Sequence, residues 1–421
     1  MYLLKYSPNQ KDQQSIMSDS IAPSHISSLG RDRRIIGLIG AGHFFSHFYL
    51  LVLPPLFVFL VPAYNLTYTQ AATLISAMAF TSAAIQAPIG AVVDRYGAFW
   101  PLVIGVAVQS GSMLLMGFAP SYIVLLILAA TAGLGNSVYH PADYAIMSSR
   151  LNPERMGRAF SIHTFSGHIG WAVAPTAAAL LSAAVGWRMA LVMFGVCGLV
   201  VAGTMLINRD LLGSGNAAGD DAPAQSTGDT LKLMLSRPIL FCFLFFVVIA
   251  MAGVGFFSFF ITAAEQHLSI NLETASLALT AYFTASAIGI LAGGQIADRT
   301  SRHGLVACAG FMTTALLLVG IAEIRPDGLL LFVMMIVAGF SNGLVPPSRD
   351  MIVRAATPPG STGKVFGFVS VGLDVGSVMT PILFGWIMDG GEPRMVFWAT
   401  AGMFLLATAT VILGRPKSMT S

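Results

Sequence analysis

Charge is what this sequence has least of. Only 10% of its 421 residues are Asp, Glu, Lys or Arg, where a soluble domain carries about a quarter. That scarcity excludes an ordinary water-facing surface. Cysteine is nearly absent too. Cys197, Cys242 and Cys308 lie singly in apolar runs, so they read as small hydrophobes and imply neither a disulfide framework nor a zinc site. A net charge of +3 gives no reason to expect a nucleic-acid partner. No GxSxG, HExxH or phosphate-loop motif occurs, so the sequence offers no nucleophile with its base and no phosphate cradle. Neither an enzyme nor a cofactor is expected. Residues 1–34 are polar, without an uninterrupted apolar core before Arg31, Arg33 and Arg34, and are expected to form a cytosolic tail rather than a cleaved signal peptide.

What is present is apolar. Hydrophobic residues make up 55% of the chain, in continuous runs of the length that crosses a bilayer as helix. Backbone polar groups cannot stay unpaired in hydrocarbon, and the absence of alternating ten-residue segments argues against a barrel. The runs place spans near 35–61, 70–93, 99–118, 121–148, 158–185 and 187–207, and again near 238–264, 273–296, 303–322, 327–353, 363–388 and 394–414. Between the sets lies 208–237, rich in Gly, Ala, Ser and Asp, a solvated linker by composition. Residues 415–421 are expected to be a second short cytosolic tail. Basic residues concentrate in the segments that would be cytosolic if the N-terminus is inside, with only Arg188, Arg325 and Arg394 in the outer loops. The positive-inside rule then puts both termini in the cytosol.

The two sets repeat. GAVVDRYG at 90–97 recurs as GQIADRTSRHG at 294–304, aligning Asp94 with Asp298 and Arg95 with Arg299 at an offset of 204. GLGNSVYHPADYAI from 133 aligns with GFSNGLVPPSRDMI from 339, and GRAFSIHTFSGHIGWAVAPT from 157 with GKVFGFVSVGLDVGSVMTPI from 363, both at an offset of 206. A unit of six helices written twice is an organisation that secondary transporters use, with the site between the repeats.

These residues resemble the major facilitator superfamily, whose Gly and Asp-Arg signature after the second helix stands in both halves. HFFSH, YTQAATLI, IQAPIG, NSVYHPAD and GRAFSI resemble its fosmidomycin-resistance type of efflux permease. The resemblance implies an all-α membrane protein with twelve transmembrane helices in two pseudo-symmetric bundles, 35–207 and 238–414. It also implies alternating access in the cytoplasmic membrane and, by analogy, export of a small organic solute. The expected partners are that solute, protons and the bilayer, and a monomer is expected. In that subfamily an acid is expected near the place of His47 and a Glu at the place of Ala142. Here the nearest acid after His140 and Pro141 is Asp143.

The resemblance further implies a cytosolic latch. Gly90, Asp94 and Arg95, with Asp298 and Arg299, would close the inner end as each carboxylate faces the N-terminus of a neighbouring helix. The plainer role is that of charged flanks. Asp143 lies close enough to the inner end of span four to reach Arg95 or Arg150, and Arg349 and Asp350 occupy the matching zone of span ten, so all three are assigned to the latch. Arg349 is alternatively a partner for Asp374.

Asp374 stands near the middle of span eleven with no adjacent base, and an isolated acid there is costly unless it is wet or protonated. It is either a proton carrier or a protonated hydrogen-bond donor between helices. His168 is its repeat counterpart. Five histidines, His43, His47, His140, His163 and His168, fall in spans one, four and five. His43 and His47 share a helix face; the superfamily resemblance implies that spans one and four line the central cavity, so that face is expected to meet His140, and a titrating ring there suits proton or substrate handling. The HxxxH spacing also suits a metal, but no cysteine or carboxylate lies on that stretch, so no metal site is assigned. Gln86, Asn136 and Asn342 are candidates for the cavity wall. Pro54, Pro55, Pro175 and Pro381 fall inside spans and are expected to bend them.

Overall fold

The computed structural model describes residues 29–213, 232–358 and 361–413. Most of the linker at 208–237, the tail before Leu29 and the segment from 414 onward lie outside the described residues. The described residues are largely helical, with eleven helices long and apolar enough to cross a membrane and a twelfth, Tyr68–Tyr96, bent by 50° between Gln86 and Pro88. The first span begins at Leu29, inside the segment expected as tail, because Asp32 is buried and bonded to Arg155 at 2.6 Å. That ion pair ties the start of span one to the start of span five.

Local chemistry sets the helix ends, and it repeats with the sequence. Span two opens on a capping box between Thr67 and Gln70, and span eight (Leu272–Arg299) opens at the matched position, where Asn271 accepts from the Thr274 amide; each pairing satisfies an amide that the helix itself leaves free. Span two stops at Gly97 with φ +85°, and spans five (Met156–Val185) and six (Trp187–Ile207) meet at Gly186 with φ +81°, turns that glycine makes without a Cβ penalty. In span one Pro54 and Pro55 remove two amide donors, so the helix Leu29–Val52 gives way to a 3₁₀ turn before resuming as Phe57–Tyr64. Pro175 and Pro381 sit within single continuous helices.

Packing follows the same twofold logic. Within the first half, span one lies on span five, span three (Phe99–Met116) on span six, and span two on span four (Tyr122–Arg150). Within the second, span seven (Arg237–Leu268) lies on eleven (Thr362–Asp389), nine (His303–Ile324) on twelve (Arg394–Leu413), and eight on ten (Gly328–Ala356). Between halves, span two meets eleven and span five meets eight, which are themselves a symmetric pair. Small residues make the close crossings. A Cβ at Gly133 would strike the Met78 carbonyl, and one at Gly339 the Tyr282 carbonyl. Gly170 meets the Phe44 backbone as Gly376 meets that of Val247. Gly133→Val and Gly339→Val are each expected to destabilise by about 1–3 kcal/mol or more through overpacking against backbone, seen as lower Tm and less monodisperse protein. Gly294→Ala, with open space at its Cβ, is expected to behave as wild type. Large apolar side chains such as Phe118, Leu291 and Leu316 remain exposed around the outside, a surface suited to lipid.

Candidate functional site

The site begins with two matched helix breaks. Span four is interrupted between Asn136 and Tyr139, and span ten between Gly343 and Val345, at equivalent places in the repeat. Broken helices free backbone groups that only a cavity or packed protein can satisfy, and both breaks border a cavity of about 410 Å³ between the halves. Leu50, Ser82, Asn136 and Trp171 line it from the first half; Phe257, Ser258, Asn342, Arg349, Asp374 and Ser377 line it from the second. Asn136 is held by two hydrogen bonds, accepting from Gln109 Nε2 at 3.2 Å and donating to Ser82 Oγ at 3.0 Å. Its orientation toward the cavity is therefore fixed by neighbours on spans two and three.

The wall carries one acid and one base. Asp374 has no ion-pair partner among the described residues and is partly exposed to the cavity. Arg349 donates through Nε to Asp350 at 2.9 Å and lies 4.8 Å from the centroid of the Phe246 ring. Of the two places expected for it, inner latch or neighbour of Asp374, it lines the same cavity as Asp374. Gln86 is not among the lining residues.

Beside the cavity lies a histidine cluster. His43 Nδ1–H donates to the His163 carbonyl at 2.7 Å, which leaves Nε2 as the acceptor for His47 Nε2–H at 3.1 Å. The His43 and His163 rings stack at 3.6 Å, and His163 Nε2–H donates to Asp143 at 2.9 Å. Asp143 is fully buried in that pair, so it does not reach Arg95 or Arg150 as expected: it points across to span five instead of down toward the loop. His47 packs edge-on against Trp171 at 4.3 Å, which connects the cluster to the cavity wall. Gly167 makes room for it, since a Cβ there would lie 2.8 Å from both His43 and His47. His168 stands apart, with Nδ1–H donating to the Thr164 carbonyl at 2.9 Å and its ring beside Trp171.

The two ends of the molecule differ. At the end bearing the Asp-Arg signatures, Asp94, Arg95, Asp298 and Arg299 are exposed and make no hydrogen bond or ion pair among the described residues, although Arg95 lies over its neighbour Tyr96. Gly90 has open space at its Cβ. At the opposite end the halves are joined. Asp389, closing span eleven, accepts from the Tyr68 amide at 2.6 Å, the Thr69 amide at 3.0 Å and the Thr69 hydroxyl at 2.6 Å. A carboxylate therefore does face a helix N-terminus, as the latch idea requires, but through a residue and at an end that sequence reading did not single out. Gln266 donates to the Tyr68 hydroxyl at 2.6 Å beside it, and Phe57 and Phe259 meet below at 5.5 Å.

Comparison with known proteins agrees with this arrangement. The family profile described as Major Facilitator Superfamily matches residues 39–266 and 244–420. The Fosmidomycin resistance protein of Escherichia coli strain K12 is 23% identical over 391 residues, covering 90% of this chain and 92% of its own. The D-galactonate transporter of Escherichia coli O6:H1 is 21% identical, covering 84% and 89%. Among solved structures, an inward-facing, unoccupied bacterial homologue of the human lysosomal transporter Spinster superposes with a TM-score of 0.79 at 15% identity, covering 92% of this chain and 98% of that one.

Proposed function

Since the chain belongs to the Major Facilitator Superfamily, and so is a multi-pass membrane transporter of small solutes and not an enzyme, we propose that it moves a small organic solute through the central cavity by alternating access coupled to protons. The observation that carries this reading is the cavity itself, bounded by the matched breaks of spans four and ten and holding Asp374 with no ion-pair partner among the described residues. Asp374 takes up and releases the coupling proton, while Asn136, Asn342 and Ser82 offer hydrogen bonds to the solute and the aromatic wall covers its apolar part. The histidine cluster beside Trp171 serves as a second polar contact reached from the cavity.

The transport unit comprises the bundles 35–207 and 238–414 joined by the segment 208–237, acting as a monomer in the cell membrane with both termini cytosolic. In that orientation the Asp389 contacts close the outer end, and the exposed Asp94 and Asp298 belong to an inner gate that is open. Export by antiport is supported by the likeness to the Fosmidomycin resistance protein. A second reading, uptake of a small organic anion by symport, is favoured by Arg349 on the cavity wall and by the likeness to a transporter whose named cargo is D-galactonate.

Reconstitution into proteoliposomes under pH gradients of either sign tests both. Solute flux that reverses with the gradient and collapses with a protonophore is expected; flux indifferent to pH would remove the proton from the mechanism. The sign of the gradient that loads the vesicles separates antiport from symport. Arg349→Gln is expected to raise KM for anionic solutes roughly tenfold or more, since a charge-assisted hydrogen bond contributes about 1.5–3 kcal/mol. Unchanged KM would take Arg349 out of substrate recognition.

A further inference from the structure

Three of the clustered histidines converge on one point. One ring nitrogen from each of His43, His47 and His140 lies within 4.8 Å of the other two, and the Nε2 atoms of His43 and His47 are 3.1 Å apart. In a tetrahedral zinc site with Zn–N bonds of about 2.0–2.1 Å, neighbouring nitrogens sit roughly 3.3 Å apart. The first two ligand positions are thus already at the spacing a cation needs. His140 arrives from the second segment of span four, Tyr139–Arg150, so the third nitrogen comes from a different helix than the HxxxH pair.

The surroundings favour ligation. The His43 Nδ1–H bond to the His163 carbonyl fixes the tautomer that turns Nε2 toward the cluster, the outer contact that metal-binding histidines use. His163 is itself held by the buried Asp143, so this support is rigid. The ring nitrogens of His140 have no hydrogen-bond partner among the described residues, its ring centroid lies 5.4 Å from that of His43, and the residue is exposed. Buried His47 Nδ1 also has no partner. His47 can shift its proton to Nδ1, freeing Nε2 for a cation with no net proton released.

We infer that His43, His47 and His140 form a three-imidazole site for a divalent late transition-metal cation of the zinc, cobalt or nickel class, with the fourth coordination position on the exposed side of His140. Imidazole nitrogens select such ions over magnesium and calcium, which take oxygen ligands. The site lies wholly in the first half and does not depend on the direction of transport.

The test uses the full-length protein, purified without a histidine tag and stripped with a chelator. Zinc binding is followed by calorimetry, and cobalt binding by the visible absorption of tetrahedral Co²⁺. One equivalent is expected per chain, bound in the micromolar range, raising the Tm, with magnesium giving neither effect. His140→Asn removes a ligand that makes no hydrogen bond, so its metal-free Tm should match wild type while zinc affinity falls at least tenfold and the cobalt band weakens. His47→Gln should do the same to affinity. Equal zinc affinity in wild type and the His140→Asn protein, or cobalt binding without the tetrahedral band, would overturn the site.

Discussion

Asp374→Asn is expected to abolish solute accumulation driven by a pH gradient while leaving solute exchange across the membrane intact. The substitution keeps the shape of the side chain and one acceptor oxygen, and removes the ionisable group. Span eleven is packed through Gly372 and Gly376 against span seven, and neither contact involves the carboxyl group, so folding is expected to survive. With one proton moved per solute, each pH unit sustains about a tenfold concentration ratio, because one unit corresponds to about 1.36 kcal/mol. In the variant that ratio should fall to about one. Exchange of labelled for unlabelled solute at equal pH needs no proton turnover and should continue. Asp374→Glu, which restores the titrating group, should recover part of the accumulation. Undiminished accumulation in the Asn variant would assign coupling elsewhere, and loss of exchange as well would make Asp374 a solute contact instead.

Much of the fold was legible because it is written twice. The Asp94 and Asp298 blocks, the alignment of Asn136 with Asn342, and the apolar runs between them state the repeat in one dimension. The symmetric Gly133 and Gly339 crossings realise it in three. Span membership of the polar residues was equally clear, since an acid or imidazole inside an apolar run stands out by contrast. Partnership was not. Asp143 was placed near the correct end of span four, but depth along one helix says nothing about which neighbour it faces; the stacked His163 on span five decides that. Arg349 could be read either as part of the gate or as a neighbour of Asp374, and only the packed structure shows that it lines the same cavity as Asp374. His140 is the exception: the face shared by His43 and His47 was expected to meet it, and its ring lies 5.4 Å and 6.4 Å from theirs. Asp389 carried no signature at all: it sits beside a Gly-Gly turn and resembles any helix-end acid until the start of span two is brought against it.

Asp389→Ala is expected to open the end of the molecule that this structure holds closed. The carboxylate accepts three hydrogen bonds from the first residues of span two, two of them from backbone amides that the helix leaves unpaired, so charge and dipole act together. Hydrogen bonds to a charged group contribute about 1.5–3 kcal/mol when protected. Asp389 is exposed, and a combined loss of about 2 kcal/mol would shift the balance between closed and open states roughly thirtyfold. Replacement by Asn retains one acceptor and should fall between Ala and wild type. Spin labels at Asn65 and Glu392, in the loops on either side of this contact and both exposed, report the opening as a distance distribution once the native cysteines are replaced. Wild type should populate mainly the short distance, and Asp389→Ala should transfer much of that population to a longer one. Asp94→Asn is a sharp contrast: its carboxylate has no partner in this state, so the short distance should persist or gain population as the opposite gate loses its own closing contact. An unchanged distribution in Asp389→Ala would mean that the aromatic contacts around Phe57 and Phe259 hold this end shut without the carboxylate.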